Sequence, residues 1–394
     1  MTYSVKSGSI KPSSTLALSA RANGLRAAGR AVLNFTVGEP DFRTPAHIAQ
    51  AGIQAIIDGK TRYTPSSGTE SLRRAICRKL KDDNGLEYRS DQIVVSNGAK
   101  HSLYNIFTAV LNEGDEVLIP APYWLSYPEM VKLAGGTPAF VCAGPENGFK
   151  PTVRQLEAAC TPRTKAVIIN SPNNPTGCVY SRAELEGVAE FALRRGLLVI
   201  SDEIYEKLIY DADAPHVSIA SLGGDIFKQT VVVNGVSKSY AMTGWRIGYT
   251  ASSGELAEIM GNIQSHCASN PNSIAQEAAL AAIAGPQDCV EEMRAGFERR
   301  RDCIYGRLSG IKGIKAARPQ GAFYVFADVS EICASGGFAD AAAFSERLLD
   351  DCGVAVVPCA DFGMPGFVRF SFSLSLEEIT KGMDLLEEFA KKRG

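Results

Sequence analysis

Strand-like and helix-like patterns alternate through the middle of this chain, and that alternation limits the folds it can adopt. Short runs rich in Val and Ile are separated by amphipathic stretches, among them residues 127–133 and 183–194. Such alternation builds βαβ units, in which parallel strands form one sheet with helices on its faces. We therefore predict an α/β fold with a mostly parallel sheet wrapped by helices. The strands predicted here are 93–95, 116–120, 137–141, 166–169, 197–201 and 231–233.

The pattern changes towards the C-terminus. A long charged helix is predicted at 290–308, and the residues beyond it predict strands at 321–326, 354–357 and 367–373 with helices at 341–349 and 376–389. We expect a smaller α+β domain that the N-terminal segment joins in space. The predicted boundaries are 1–44 for an N-terminal arm and part of the small domain, 45–290 for the large domain, and 291–394 for the small domain.

Charge and hydropathy exclude two kinds of partner. The 394 residues carry a formal net charge of −2 and no long run of like charges, so the footprint of a nucleic-acid or membrane-surface binder is missing. No window reaches the roughly 20 apolar residues of a membrane span, and the N-terminus has no apolar leader segment. We expect a cytoplasmic protein that acts on small molecules.

Cysteine and histidine spacing gives no sign of a metal site. The 10 cysteines are scattered without a CxxC pair, and none of the 4 histidines has a partner at ligand spacing. We predict that most of these cysteines are buried thiols that act as small apolar side chains, and that no metal ion is bound.

One lysine ends a predicted buried strand. Lys238 follows the Val-rich run at 231–233 and an Asn-Gly turn, with Ser237 and Arg246 close by in sequence. A lysine after an arbitrary strand is most often a solvated side chain. An amine that condenses with an aldehyde must instead be desolvated, and a phosphorylated aldehyde needs a cation and donors, which Arg246 and Ser237 could supply. We predict that Lys238 binds such a cofactor covalently.

Five candidate residues follow predicted strands, where functional side chains of parallel sheets gather, so we expect them in one cleft. Asp202, if buried, would favour a cation beside it, although the alternative role of a helix N-cap is equally common. Tyr205, three residues on, and Asn174 could donate hydrogen bonds to a cofactor, and Asn174 is otherwise a turn residue. Trp124 offers a flat aromatic face on which the ring of a cofactor could stack, or it is simply a core residue. The fifth is Lys238.

Residues 93–110 read as a strand, a small-residue turn and a helix. Gly98, Ala99 and Lys100 lie where the helix begins, so unpaired N–H groups and the positive end of the helix dipole would meet a phosphate there. The segment lacks the spacing of a P-loop or a dinucleotide fingerprint. In the small domain, Arg369 is our candidate for bidentate binding of a substrate carboxylate, although alone it would be read as a surface residue.

Together these segments resemble the class I, fold-type I pyridoxal-phosphate aminotransferases, most closely the bacterial and plastid aspartate aminotransferase branch, in which some members also transaminate prephenate. The resemblance implies pyridoxal 5'-phosphate as cofactor, with Lys238, Asp202 and Tyr205 as catalytic residues. Asp202 would then keep the pyridine nitrogen protonated, and Tyr205 and Asn174 would hydrogen-bond the phenolic oxygen. It implies contacts of Trp124 and Asn174 with substrate as well as cofactor. The segments that carry it are KPSSTLALSARA, GEPDF, RYTPSSGTESLRRAI, NGAKHSLYN, APYWLSYPEM, SPNNPTG, SDEIYE, NGVSKSYAMTGWRIGY and VRFSFS.

The resemblance implies three further roles. The backbone of Gly38 in GEPDF would approach the substrate carboxylate. Tyr63 would reach the cofactor phosphate of a neighbouring subunit, which makes the active site the product of a homodimer. Thr15 and Lys100 would read the distal carboxylate of a dicarboxylate substrate. A cation in the first turn of a helix needs an anion beside it, and for Lys100 that anion is either this carboxylate or the cofactor phosphate.

One position departs from the family pattern. Many relatives carry a hydroxyl residue three before the lysine, where this chain has Gly235. The phosphate contact from that side is therefore open, and Ser237 is the expected substitute.

The leading functional prediction is an aminotransferase that moves the amino group of aspartate to 2-oxoglutarate in ping-pong half-reactions. The alternative on the same scaffold is a different preferred substrate. It is prephenate, which would make the protein an arogenate-forming enzyme, or an aromatic amino acid, or alanine. A pyridoxal-phosphate lyase or synthase and a non-catalytic binding protein are further alternatives, since fold alone does not fix function. Retention of the catalytic set argues against the binding protein.

Overall fold

The computed structural model describes residues 14–211 and 213–393 and, before them, Gly8, Ile10 and Pro12. The strands of this part form a seven-stranded, a four-stranded and a two-stranded sheet. In chain order they are β1 (Leu33–Asn34), β2 (Ile93–Ser96), β3 (Glu116–Ala121), β4 (Thr137–Cys142), β5 (Thr164–Asn170), β6 (Leu198–Asp202), β7 (Thr230–Gly235), β8 (Gly248–Ala251), β9 (Lys315–Ala316), β10 (Tyr324–Asp328), β11 (Val354–Ala355), β12 (Val357–Pro358) and β13 (Phe367–Ser371).

Helices cover the sheets and connect their strands. In chain order they are α1 (Ser14–Ala27), α2 (Ala46–Ile57), α3 (Glu70–Asn84), α4 (Ala99–Val110), α5 (Ser126–Leu133), α6 (Val153–Ala159), α7 (Arg182–Arg195), α8 (Gly224–Lys228), α9 (Gly254–Cys267), α10 (Ser273–Ala284), α11 (Asp288–Ser309), α12 (Ser330–Gly336), α13 (Ala341–Cys352) and α14 (Leu376–Arg393). Among the residues described, no helix is long and apolar enough to cross a membrane.

The large sheet has the strand order β2-β8-β7-β6-β5-β3-β4. Strands β3 to β7 run parallel, whereas β8 is antiparallel to both of its neighbours, β7 and β2. The sheet is therefore mostly parallel, which confirms the predicted α/β fold. The register places Asp202 at the end of β6 opposite Asn170 at the end of β5. The carboxyl ends of these two neighbouring strands therefore lie at the same edge of the sheet.

Alternating side chains of the central strands fill cores on both sides of the large sheet. On β7, Val231 and Val233 pack in one cluster with α4, whereas Val232 packs in another cluster with α3 and α10. Successive side chains of a strand point to opposite faces, so a strand buried on both faces reads as a continuous apolar run. This is why the run at 231–233 identified β7 so clearly.

The smaller sheet has the order β12-β13-β10-β9 and is antiparallel. The N-terminal segment reaches this part of the molecule, because β1 pairs in parallel with β11. No finding tests the domain boundaries at residues 44 and 290, which stay a prediction.

Two predicted strands differ from the observed ones for local reasons. The run at 354–357 divides into β11 and β12, which pair with β1 and β13 in different sheets. The strand predicted from residue 321 begins at Tyr324, because Ala322 has a φ of 56°, outside the extended region. Helices α9 and α10 were not predicted. In α10 the sequence SIAQEAALAAIA is small or apolar nearly all round, so it shows little amphipathic period.

Candidate active site

A cavity of about 640 Å³ opens at the carboxyl edge of the large sheet, between that sheet, the small sheet and helix α1. It is lined by residues from strands β5, β6 and β13, from the start of α4 and from the N-terminal arm. Most of the site residues predicted from sequence lie on its wall. They are Thr15, Gly38, Ala99, Lys100, Trp124, Asn174, Asp202, Tyr205, Ser237, Lys238, Arg246 and Arg369.

Lys238 reaches into this cavity from the turn after β7. Its Nζ donates a hydrogen bond of 2.6 Å to the carbonyl oxygen of Gly38, and it lies 5.9 Å from the ring centroid of Tyr205. Burial lowers the pKa of Lys238 to about 8, although the nearby Glu39 carboxylate opposes the shift. A lysine with a lowered pKa is a better nucleophile and base at neutral pH than a solvated one.

Asp202 ends β6 and is only 3% exposed. It accepts hydrogen bonds from the hydroxyl of Tyr127 at 2.6 Å and from the backbone N–H of Ile204 at 3.2 Å. Burial nevertheless raises the pKa of Asp202 to about 6, because these two donors only partly offset desolvation. A buried carboxylate of this kind favours a cation beside it in the cavity.

The start of α4 and the Arg246 side chain form an anion cradle. Gly98 has a φ of 86°, and a Cβ at this position would overlap the Arg246 guanidinium. The guanidinium is held by the carbonyl oxygens of Thr243 at 2.8 Å and Asn97 at 3.3 Å. The first N–H groups of an α-helix lack intrahelical partners, so the cradle offers donors as well as positive charge. Ala99 forms part of its wall.

Gly235 is too tightly packed to carry a side chain. A Cβ there would lie 2.9 Å from the Cα of Gly248 and from the carbonyl oxygen of Ile247. The close approach of β7 and β8 therefore leaves no room for a hydroxyl side chain at this position. The hydroxyl residue on this part of the cavity wall is Ser237.

Arg369 approaches from β13 on the opposite wall and is 2% exposed. Its Nη1 donates to Asn174 Oδ1 at 3.0 Å and its Nη2 donates to the Thr36 carbonyl oxygen at 2.9 Å. Its buried Nε has no partner among the described residues. The guanidinium is therefore fixed in place and keeps donor capacity for a carboxylate.

Thr15, Lys100 and Trp124 all line this cavity. The Lys100 ammonium stands 4.8 Å from the centroid of the Trp124 ring. Burial, and then the charge of Arg246, lower the pKa of Lys100. The Thr15 hydroxyl is buried without a partner in the described part of the chain. These groups could bind an anion together.

Tyr63 is the predicted residue that lies away from the others. It sits between α2 and α3, is 90% exposed and does not line the cavity of its own chain. Gly98 lies just behind the cavity wall, against Arg246.

Two tyrosines of the site were missed by the sequence reasoning. Tyr127 binds Asp202 directly, and Tyr324 places its hydroxyl 3.1 Å from that of Tyr205. Tyr127 stands in the APYWLSYPEM segment that carried the family resemblance, three residues after Trp124, and that position was the one signal available for it. Nothing in the sequence around Tyr324 separates it from an ordinary core residue of a strand.

Behind the site, in the part of the chain described, one trio of potential metal ligands comes together: Glu203, Glu206 and His216. His216 Nε2 lies 3.0 Å from Glu203 Oε2, and the Lys79 ammonium forms a close ion pair with Glu206. The lysine already supplies the positive charge that a buried carboxylate needs. We assign no metal to this trio, and the absence of a metal ion stays a prediction.

The fold and the site agree with one known family. The sequence profile described as "Aminotransferase class I and II" matches residues 30–386. The chain belongs to this family, as the sequence motifs predicted.

Similarity extends over the full length of named relatives. The chain is 50% identical to an aspartate aminotransferase of Bacillus sp. (strain YM-2), covering 97% of both chains. It is 47% identical to an aspartate/prephenate aminotransferase of Cereibacter sphaeroides, covering 96% of both. Among solved structures, the Thermus thermophilus aspartate aminotransferase with maleate is similar at a TM-score of 0.93 and 41% identity, covering 98% of this chain and 99% of that one.

Proposed function

We propose that this chain is a pyridoxal-phosphate-dependent aspartate aminotransferase that moves the amino group of aspartate to 2-oxoglutarate, giving oxaloacetate and glutamate. The observation that carries the proposal is that one cavity brings together the Lys238 amine, the Asp202 carboxylate and the Arg369 guanidinium. Full-length similarity to relatives named aspartate aminotransferase supports the choice of substrate.

The donor set of the cavity fits pyridoxal phosphate. The anion cradle formed by the start of α4 and Arg246 suits a phosphate, and the Ser237 hydroxyl lines the same cavity. The buried Asp202 carboxylate suits a protonated pyridine nitrogen. Lys238, with its lowered pKa, suits an aldehyde. When bound, the cofactor supplies an aldehyde that takes up the amino group and an electron-poor ring that weakens the substrate's Cα–H bond.

Lys238 moves the proton in this mechanism. With a pKa near 8 its amine is partly neutral at physiological pH, so Nζ can accept the Cα proton and return it as general base and acid. The carbonyl oxygen of Gly38 holds Nζ at 2.6 Å and orients it across the cavity. Asp202 stays ionised when a cation lies beside it, and Tyr127 fixes its orientation at 2.6 Å.

The two carboxylates of the substrate are bound at two places in the cavity. Arg369, held by Asn174 and the Thr36 carbonyl, binds the α-carboxylate. Lys100 and the unpartnered Thr15 hydroxyl bind the distal carboxylate. A dicarboxylate spans both groups, and a monocarboxylate leaves the second pair unused. This arrangement favours aspartate and 2-oxoglutarate.

Prephenate is the second candidate substrate. A relative with 47% identity over nearly the whole chain is named an aspartate/prephenate aminotransferase. The ring carboxylate of prephenate would take the place of the distal carboxylate at Lys100.

We further propose that the working unit is a homodimer that shares its active sites. Tyr63 is 90% exposed, and Ile53, Ile56 and Ile57 on α2 are 51%, 56% and 70% exposed. Apolar side chains grouped on one helix favour burial against a second copy, which would bring Tyr63 to the partner's phosphate cradle. Sedimentation equilibrium tests the assembly, and a fully active monomer would contradict it.

Single-turnover mixing tests the function. Purified protein loaded with pyridoxal phosphate is mixed with aspartate, glutamate, phenylalanine or alanine, and the cofactor absorbance is followed. We expect aspartate and glutamate to convert the cofactor fastest, with 2-oxoglutarate and prephenate compared in the return reaction. The proposal fails if no amino acid changes the absorbance. A return reaction faster with prephenate would favour the second candidate.

A further inference from the structure

Tyr324 stands between the two walls of the cavity. It begins strand β10 and is 1% exposed, yet it lines the cavity. Its hydroxyl lies 3.1 Å from the hydroxyl of Tyr205 on the large-sheet wall. The same oxygen would be 3.5 Å from a Cβ on Gly38, next to the carbonyl that holds Lys238. The hydroxyl of Tyr324 is therefore part of the wall that faces the reacting groups.

The ring of Tyr324 supports the other wall. The Arg369 guanidinium carbon lies 4.3 Å from the centroid of this ring. The two residues are diagonal neighbours in the small sheet, because Tyr324 pairs with Ser371 and Phe326 pairs with Arg369. Diagonal pairs of an antiparallel sheet share one face and are within reach of aromatic and long side chains. A guanidinium over a buried ring is stabilised by a cation–π contact.

We propose that Tyr324 is a positioning residue for the reaction, whose hydroxyl fixes Tyr205 and whose ring fixes Arg369. This inference rests on the proposed function, since it assigns Tyr205 to the cofactor and Arg369 to the substrate carboxylate. It adds a single side chain that couples the placement of both.

The direction of the hydroxyl contact follows from the number of protons available. Burial raises the pKa of both Tyr205 and Tyr324, so each hydroxyl keeps its one proton. If Tyr205 donates to the phenolic oxygen of the cofactor, its own oxygen is free to accept from Tyr324. Hydrogen bonds in such a chain strengthen one another, so Tyr324 makes Tyr205 the better donor.

The variant Tyr324→Phe removes the hydroxyl and keeps the ring. A weaker Tyr205 donor stabilises the deprotonated form of the bound cofactor less. We expect the pH midpoint of the cofactor's visible absorbance change to rise by about half a unit, with kcat lower by about 3- to 10-fold. Maleate, used as a dicarboxylate probe, should bind within about twofold of wild type because the ring still supports Arg369.

The variant Tyr324→Leu removes the ring as well. It should also weaken maleate binding by about 3- to 10-fold, the loss expected for a buried cation–π contact. The matched control is Tyr210→Phe, which removes another buried hydroxyl of the same cluster, bonded to the Ala322 carbonyl and away from the cavity. This control should lower thermal stability and leave the absorbance midpoint unchanged.

A double variant decides whether the hydroxyl acts through Tyr205. In a Tyr205→Phe background, Tyr324→Phe should cause no further shift of the midpoint. An unchanged midpoint in Tyr324→Phe, or the same shift in both backgrounds, would overturn the inference even if Tyr324→Leu fails to fold. Failure of the proposed function looks different, because wild type itself would then show no pH-dependent cofactor absorbance and no transamination.

Discussion

The two halves of the cavity are built in different ways. The cofactor half, which we define as Asp202, Tyr205, Lys238 and Arg246, comes from segments that end or follow neighbouring strands of one sheet. The substrate half, defined as Thr15, Lys100 and Arg369, comes from α1, α4 and β13, which lie far apart in sequence. Under the proposed function, one sheet edge therefore positions the reacting groups, whereas the packing of separate segments determines which substrate is bound.

The difference has a kinetic consequence. A change in the cofactor half should affect every substrate equally, because each substrate needs the same proton transfer and the same ring. A change at Lys100 or Thr15 should affect only substrates that carry a second carboxylate. Arg369 lies between these cases, since every amino acid has an α-carboxylate.

Lys238→Ala should have the largest effect, because it removes both the covalent link to the cofactor and the general base. We expect kcat to fall by at least about 10⁴-fold with aspartate and with phenylalanine alike. Borohydride reduction of the wild type, followed by peptide mapping, should label Lys238. A label on another lysine would show that Lys238 is not the residue that binds the cofactor, and the cofactor half as defined here would be wrong.

Arg369→Lys tests the wall shared by all substrates. A lysine keeps the charge and loses the planar fork that binds a carboxylate with two hydrogen bonds. We expect kcat/KM to fall by about 10²- to 10³-fold for aspartate and for alanine, because a hydrogen bond to the charged carboxylate, about 1.5–3 kcal/mol, is lost and the buried oxygens of Asn174 and Thr36 lose their donor. A loss confined to aspartate would place Arg369 on the distal carboxylate.

The same contrast explains how much the sequence could predict. Lys238 and Asp202 follow apolar runs that identify buried strands, and parallel strand ends meet at one edge, so the sequence alone predicts that these two residues meet. The contact between Arg369 and Asn174, 195 residues apart, depends on how the small sheet packs against the large one. No local pattern encodes that packing, and Arg369 was found through the family motif.

Tyr324 marks the limit of sequence reasoning. Its strand was predicted, but an aromatic residue on a buried strand is ordinarily core. The register of β10 with β13 places this ring on the same face of the sheet as Arg369. For Tyr63 the situation is reversed. The sequence predicted a role for it, but its side chain is exposed and does not line the cavity of its own chain, so its role at a partner's site stays a prediction.

Lys100→Ser sharpens the comparison within the substrate half. If its ammonium binds the distal carboxylate, kcat/KM should fall by about 10²-fold for aspartate and by less than about threefold for phenylalanine. Half-reactions followed by cofactor absorbance give both values with one preparation. Equal losses for the two amino acids would instead place Lys100 on the cofactor phosphate.

The smallest effect is expected in the cofactor-free protein, where Asp202→Asn should raise stability. The folded state raises the pKa of Asp202 from its ordinary 3.8 to about 6, so it holds a proton between these values that the unfolded chain has lost. Stability contributed by this group therefore falls as pH rises from about 4 to 6 and stays lower above. An asparagine has no such dependence and keeps the oxygen that accepts from Tyr127.

Urea unfolding of the cofactor-free proteins at pH 4.5 and 7.5 measures this effect. We expect Asp202→Asn to be more stable than wild type by about 1–2 kcal/mol at the higher pH, with a smaller difference at the lower one, because water in the open cavity reduces the full effect of desolvation. The exposed Asp361→Asn serves as the control for loss of one negative charge. Equal stability of Asp202→Asn and wild type at pH 7.5 would mean that the carboxylate is not held at a cost. Burial of the ionised Asp202 carboxylate would then not destabilise the cofactor half of the cofactor-free protein, and the two halves would not differ in this respect.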